Sequence, residues 1–213
     1  GREKDVDIGL ISSNKLDSDL LKYANLNDEG EIAIIEMSSI VGLADLSVID
    51  RNPWRTSTYG VGQLLSQASA LGVKSILLGI GGSSTNDIGI GALSALGLRL
   101  LDQNHHIISF PCPETWSKIK EINRENLISL PSIRIACDVS SPLLGQDGAT
   151  YQFGHQKGLE SSRAGDMENL VNGLSGKLAE IFEKSISTRE ISGSGAAGGI
   201  GYGLTLAYDA EFV

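Results

Sequence analysis

Three short apolar runs separated by polar, glycine-bearing loops set the rhythm of the chain: residues 31–36 (EIAIIE), 74–80 (KSILLGI) and 132–137 (SIRIAC). Runs this short, rich in isoleucine and leucine and bounded by turn residues, predict buried strands. Residues 5–12 (DVDIGLIS) alternate enough for a further strand, and residues 16–24 predict a short helix. A short helical turn (MSSIVGLADL) follows Glu36. Leu64, Leu65, Ala68 and Leu71 recur at helical spacing, which predicts a helix from an N-cap at Ser57 or Thr58 to a stop at Gly72. Residues 86–96 predict a second helix closed by Gly97, and residues 98–101 a strand. With the 74–80 strand these form the pattern of a βαβ unit.

Beyond this unit the pattern predicts a strand at 105–110, a short helix at 114–121 and a long helix at 161–187 that Gly173 and Gly176 weaken. Between them lies a long irregular stretch, 139–158. Loops of that length are functional or disordered, and Leu143, Leu144, Tyr151 and Phe153 favour order. A glycine-rich segment, GSGAAGGIG, leads into a final helix. The expected fold class is mixed α/β: one domain over 1–213, a mixed central sheet with flanking helices, and motif loops converging on one edge.

Charge narrows the function. At −9 the chain lacks the basic stripe that phosphate backbones demand, so nucleic acid is excluded as a partner. No run approaches the roughly 18 apolar residues of a membrane span, and no signal peptide opens the chain, so no membrane partner and a cytoplasmic location are expected. The two cysteines have no metal-ligand spacing; Cys137, within an apolar run, is expected to be buried. Glycine accounts for 26 of 213 residues and gathers at 79–91 and 193–203, marking two special backbones.

The polar loops carry the candidate chemistry. GIGGSSTND at 79–87 pairs glycines, which let a ligand approach the backbone, with Ser83, Ser84 and Thr85 as donors and Asp87 as a cation ligand or proton acceptor. Its alternative reading is a helix cap. The loop is not a P-loop, having no lysine, and its GxGxxG match fails at Ser84, although Asp102 stands where a ribose-binding acid would. A dehydrogenase using NAD(P) on a small acid therefore stays open as an alternative. Arg51 and Arg55 flank a proline turn suited to clamping an anion, or are plain surface arginines. Gly60 and Gly62, costly in a first helical turn, suggest close backbone approach. Asp138 follows the 132–137 strand, where α/β sheets gather ligands. Lys157 sits between glycines in FGHQKG, within reach of a phosphate, and His155 is a candidate base.

Together, IEMSSIVGL, RNPWRTSTYGVGQL, LGIGGSSTNDIGIGALSALG, ACDVSSPLLGQDGA, FGHQKG and GSGAAGGIG resemble, in order, the bacterial type I glycerate kinases, over about residues 31–210. The resemblance implies phosphorylation of D-glycerate to 2-phosphoglycerate, with ATP and Mg²⁺ as cofactors. It also implies two α/β domains with a cleft between them, of which this chain is the inserted one. The flavodoxin-like domain made from both chain ends would be the missing half and its partner, and the inserted domain alone would be inactive. The implied catalytic residues are Asp87, Asp138 and Lys157, with Asp87 and Asp138 as Mg²⁺ ligands. The implied substrate and phosphate contacts are Arg51, Thr56, Ser57, Gly81, Gly82, Ser83, Ser84, Thr85, Asn86, Gln156 and Gly195. Two departures stand out: Ile88 replaces a usual glycine after TND, and His155 replaces a usual proline before QKG. They leave a non-catalytic anion-binding domain as a further alternative.

Overall fold

The structure, a computed structural model, describes residues 5–26 and 30–213. The apolar runs become the spine of a five-stranded sheet. Strands β1 (Gly9–Ser12), β2 (Glu31–Glu36), β3 (Ser75–Gly79), β6 (Ser132–Ala136) and β7 (Glu211–Phe212) lie in the order β1-β2-β3-β6-β7. β1 is antiparallel to β2, and every other neighbouring pair is parallel, with Ile34 opposite Leu77 and Leu77 opposite Arg134. The carboxyl ends of β2, β3 and β6 therefore share one edge, and the loops after them meet there.

Alternation divides the central strands between two faces. Ala33, Ile35, Ile76 and Leu78 enter the main core, while Ile32 and Leu77 join a smaller cluster with Ala24 and Leu26. Helices α1 (Ser18–Tyr23), α2 (Ser38–Val41), α3 (Tyr59–Ala70), α4 (Ile90–Ala95), α5 (Ala149–Phe153), α6 (Ala164–Ile181) and α7 (Ile200–Tyr208) flank the sheet. α3 packs on α4 and α4 on α7. Gly62 makes the first contact possible, because a Cβ there would stand 2.3 Å from the Ala92 carbonyl oxygen. Gly60 faces Ile40 in the same way. Both glycines serve helix packing, not ligand approach.

Several expected elements change. The 86–96 helix shortens to α4, because Ile88 (φ 50°) and Gly89 (φ 76°) take the left-handed conformation ahead of it. Ser83–Asn86 therefore cap no helix. The 98–101 run, as β4 (Arg99–Leu101), pairs antiparallel with β5 (Glu121–Asn123) in a separate two-stranded sheet. β3, α4 and β4 therefore do not form the expected βαβ unit, and Asp102 instead closes an exposed turn by accepting from the Asn104 and His106 amides. The structural basis for a dinucleotide site is thereby lost. The first strand is confined to β1, and residues 105–110 form only a bridge at Ile107. The 114–121 helix is a 3-10 turn over Pro113–Lys118. The long helix is α6, with 3-10 turns before and after it, and the 139–158 stretch is ordered around α5.

Candidate functional site

At the shared sheet edge a pocket of 240 Å³ opens. Residues 80–83 after β3 form one wall, and Cys137, Asp138 and Val139 after β6 another. Phe153, Gln156 and Lys157 come from the segment after α5, Ala196 and Ala197 from the glycine-rich segment, and Leu43 from the loop after α2. Five separated motifs thus meet around one cavity. A wider groove of 1040 Å³ adjoins it, sharing Leu43 and Gly82 and lined by Glu36, Asp45 and Arg51 among others.

Lys157 is the pocket's ammonium, yet it is only 2% exposed. Its Nζ donates to the Thr85 carbonyl (2.6 Å) and to Ser83 Oγ (3.4 Å). Burial pulls its pKa down to about 7, and the negative charge of Asp87 works in the opposite direction. The loop that carries it is held tightly. Gly158 (φ 89°) turns under Arg51, where any Cβ would lie 2.3 Å from the Arg51 carbonyl oxygen. Arg51 Nη1 returns a hydrogen bond to the Gln156 carbonyl at 3.1 Å. The RNPWRTS and QKG motifs are therefore one clamped unit.

Asp87 has a different situation. It is fully buried, and both carboxylate oxygens are engaged. Oδ2 accepts from the Thr58 amide (2.7 Å), the Thr58 hydroxyl (2.9 Å) and the Gly91 amide (3.2 Å), while Oδ1 accepts from the Gly89 amide (3.3 Å). The Thr58 hydroxyl in turn accepts from the Ala92 amide at 2.9 Å. One carboxylate thereby ties the first turn of α3 to the start of α4. Desolvation raises its pKa, against those same hydrogen bonds. A Mg²⁺ ion keeps several waters and needs open coordination sites; Asp87 offers neither, whereas Asp138 is exposed on the pocket wall.

The remaining candidates sort by position. Gly81, Gly82, Ser83 and Gln156 line the pocket with Lys157 and Asp138. Ser84 donates to the Val41 carbonyl, and Thr56 to the carbonyls of Pro53 and Ser84, so both brace the loop. Ser57 Oγ accepts from the Tyr59 amide at the head of α3. Thr85 and Asn86 are buried off the wall, with Thr85 Oγ1 and both amide atoms of Asn86 unpaired among the described residues. Gly195 packs against Pro142 and Ala149 and is not on the pocket wall. Arg55 is exposed and pairs with Glu114 at 3.3 Å, so the two arginines do not act as one clamp. Cys137, expected inside the core, is half-buried and on the pocket wall. His155 is exposed and off the wall. Sequence reasoning missed Thr58 as the partner of Asp87; its place as the residue before an amphipathic helix was the available signal.

No helix of the described residues is long and apolar enough to cross a membrane. A family model described as the glycerate kinase family matches residues 12–213. A glycerate kinase of Haemophilus influenzae is 40% identical over 86% of this chain and 49% of its own length. A glycerate kinase of Halalkalibacterium halodurans is 38% identical over 88% of this chain and 50% of its own. Among solved structures, one described as glycerate kinase 2 from Salmonella typhimurium LT2 matches with a TM-score of 0.79 and 33% identity, covering 85% of this chain and 49% of that one. The chain thus spans about half the length of the relatives it matches. On a family match that spans residues 12–213, nearly its whole length, the chain belongs to the glycerate kinase family.

Proposed function

We propose that this chain forms one wall of the active site of an ATP-dependent kinase acting on D-glycerate to give 2-phosphoglycerate, the other wall coming from the remainder of the same enzyme. The observation that carries this reading is the convergence of five motifs on one pocket around a buried lysine. Phosphoryl transfer asks a protein mainly for positioning and charge stabilisation. Here the Gly81–Gly82–Ser83 backbone, Lys157 and the Arg51-braced loop meet those needs.

In the reaction, the acceptor hydroxyl oxygen forms a new bond to the γ-phosphorus as the bond to the β-bridging oxygen breaks and ADP departs. Its proton passes to a carboxylate. Asp138 is the open carboxylate of the two, available to that hydroxyl or to a Mg²⁺ ion carried on the phosphates. Asp87 acts as a positioning residue: it fixes the loop and opposes the loss of charge on Lys157. A kinase drawing on ATP suits the cytoplasm, and the 213 residues alone are expected to be inactive.

The test is an assay of the native protein carrying this sequence with ATP, Mg²⁺ and D-glycerate, resolving 2- from 3-phosphoglycerate by ³¹P NMR. Formation of 2-phosphoglycerate supports the reading. Failure to phosphorylate D-glycerate, alongside turnover of an unrelated alcohol, overturns it. A non-catalytic anion-binding domain would leave kcat/KM unchanged in Lys157→Met.

A further inference from the structure

The turn at residues 51–58 (RNPWRTST) is tied to both loops that carry the pocket's polar groups. Arg51 Nη1 donates to the Gln156 carbonyl at 3.1 Å. Thr56 Oγ1 donates to the Ser84 carbonyl at 3.2 Å, and the Thr58 amide and hydroxyl donate to Asp87. A displacement of this turn is therefore passed both to the 79–87 loop and to the segment that bears Lys157.

One support of the turn lies outside every motif. Arg163 ends the 3-10 turn Ser161–Arg163 ahead of α6, and its guanidinium carbon stands 3.9 Å from the centroid of the Trp54 ring. Trp54 is 7% exposed and belongs to the main core, whereas Arg163 is exposed. A cation this close to an aromatic ring is attracted by the ring's quadrupole, and a planar guanidinium stacks where an ammonium cannot. The two arginines make reciprocal contacts. Arg51, on the turn, reaches forward to residue 156, and Arg163, on the later segment, reaches back to residue 54. Lys157 lies between these two fastenings, with Leu159 near it anchored in the core. The Trp54 backbone has its own supports: its amide donates to Asn52 Oδ1 at 3.1 Å, and its carbonyl accepts from the Glu114 amide at 2.9 Å. Loss of the stack would thus loosen the later segment and leave the turn folded.

We propose that Arg163 is a positioning residue: its stack on Trp54 completes a double fastening that holds the Lys157 ammonium against Thr85 and Ser83, although Arg163 stands off the pocket wall. As a role in the reaction this rests on the glycerate kinase reading; as a statement about Lys157 it is tested without turnover.

The experiment compares the native protein carrying this sequence with Arg163→Gln and Arg163→Lys. Hydrogen exchange of the Lys157, Gly158 and Leu159 amides, each bonded to a carbonyl of its own segment, reads the fastening directly. Arg163→Gln speeds their exchange about two- to fivefold, the factor to which an exposed cation–π contact corresponds, and leaves the amides of α3 unchanged. In the assay, kcat/KM for D-glycerate falls by a similar factor, with Tm lowered by less than about 4 °C. The alkaline limb of kcat/KM moves to higher pH, because water reaches the ammonium while Asp87, the charge that bears on it, is untouched. Arg163→Lys keeps the charge without the plane and restores little of either loss. Unchanged exchange at residues 157–159, or full recovery in Arg163→Lys, overturns the fastening. Faster exchange with kcat/KM or the limb unmoved overturns the positioning role. Absence of D-glycerate phosphorylation in the parent overturns the kinase reading and the role in the reaction with it, while the exchange rates still decide the fastening.

Discussion

Replacing Asp87 by Asn keeps the side chain's shape and removes its charge, which isolates what the carboxylate does at the joint between α3 and α4. Three donors converge on Oδ2 and one on Oδ1. With the amide oxygen at the Oδ2 position, the bonds from Thr58 and Gly91 survive as neutral ones, and the amide NH₂ then opposes the Gly89 N–H. Hydrogen bonds to a charged acceptor contribute about 1.5–3 kcal/mol each and neutral ones about 1. Three weakened bonds and one unsatisfied amide thus cost about 4 kcal/mol. Relief from burying a carboxylate, the largest influence on its pKa, offsets part of this and leaves about 3 kcal/mol, near the low end for breaking buried charge pairs. For a chain of this size that lowers Tm by about 6–12 °C. Urea unfolding at pH 7 measures the stability change. Because Asp87 holds the Lys157 pKa up, the alkaline limb of kcat/KM should also move to lower pH in the variant, which a purely structural carboxylate would not cause. A stability loss under about 1 kcal/mol with an unmoved limb would refute the reasoning.

The Lys157 pKa of about 7 lies below that of an exposed lysine, so between about pH 7 and 10 the unfolded chain binds a proton the native one has released. This group therefore makes stability rise with pH across that window and adds no slope below it; Lys157→Met should flatten the rise in urea titrations at pH 7, 8 and 9. Gly62→Ala would gain about 1 kcal/mol of helix propensity, but its Cβ would lie 2.3 Å from the Ala92 carbonyl oxygen. Forced separation of α3 and α4 costs about 1–3 kcal/mol, so thermal melting should show a net loss, and a higher Tm would count against the close helix contact.

Composition of the apolar runs made β2, β3 and β6 legible, because a short run rich in isoleucine and leucine between turn residues has few other uses. Part of the pocket's wall was legible for a local reason too: GIGGSS and ACDV each place polar groups at the carboxyl end of a strand, and QKG places a lysine between glycines after α5. What stayed hidden depends on distant partners. β4 looks like any strand, and only its pairing with β5 takes it out of the main sheet. β7 has two residues and exists through its contact with β6. The helix expected from residue 86 fails because Ile88 is held left-handed, its amide donating to the Gly198 carbonyl from far along the chain. Lys157 resembles a surface lysine because its immediate neighbours are polar and glycine; its burial comes from the loop of residues 83–85 folding over it.

The contact between Ile88 and the glycine-rich segment carries an evolutionary consequence. A Cβ at Gly199 would come within 3.1 Å of Ile88 Cα and 3.2 Å of its Cγ2, and one at Gly203 within 2.4 Å of the Ile88 carbonyl oxygen. Gly203 must stay bare to clear the Ile88 carbonyl oxygen whatever side chain residue 88 carries, and Gly199, at φ 86° and with Leu143 2.7 Å from its Cβ position, is held to glycine by its own backbone as well. Residue 88 is thus free to drift in side chain while 199 and 203 are not. Homologues that keep this crossing should carry glycine at both positions with either glycine or a branched residue at 88.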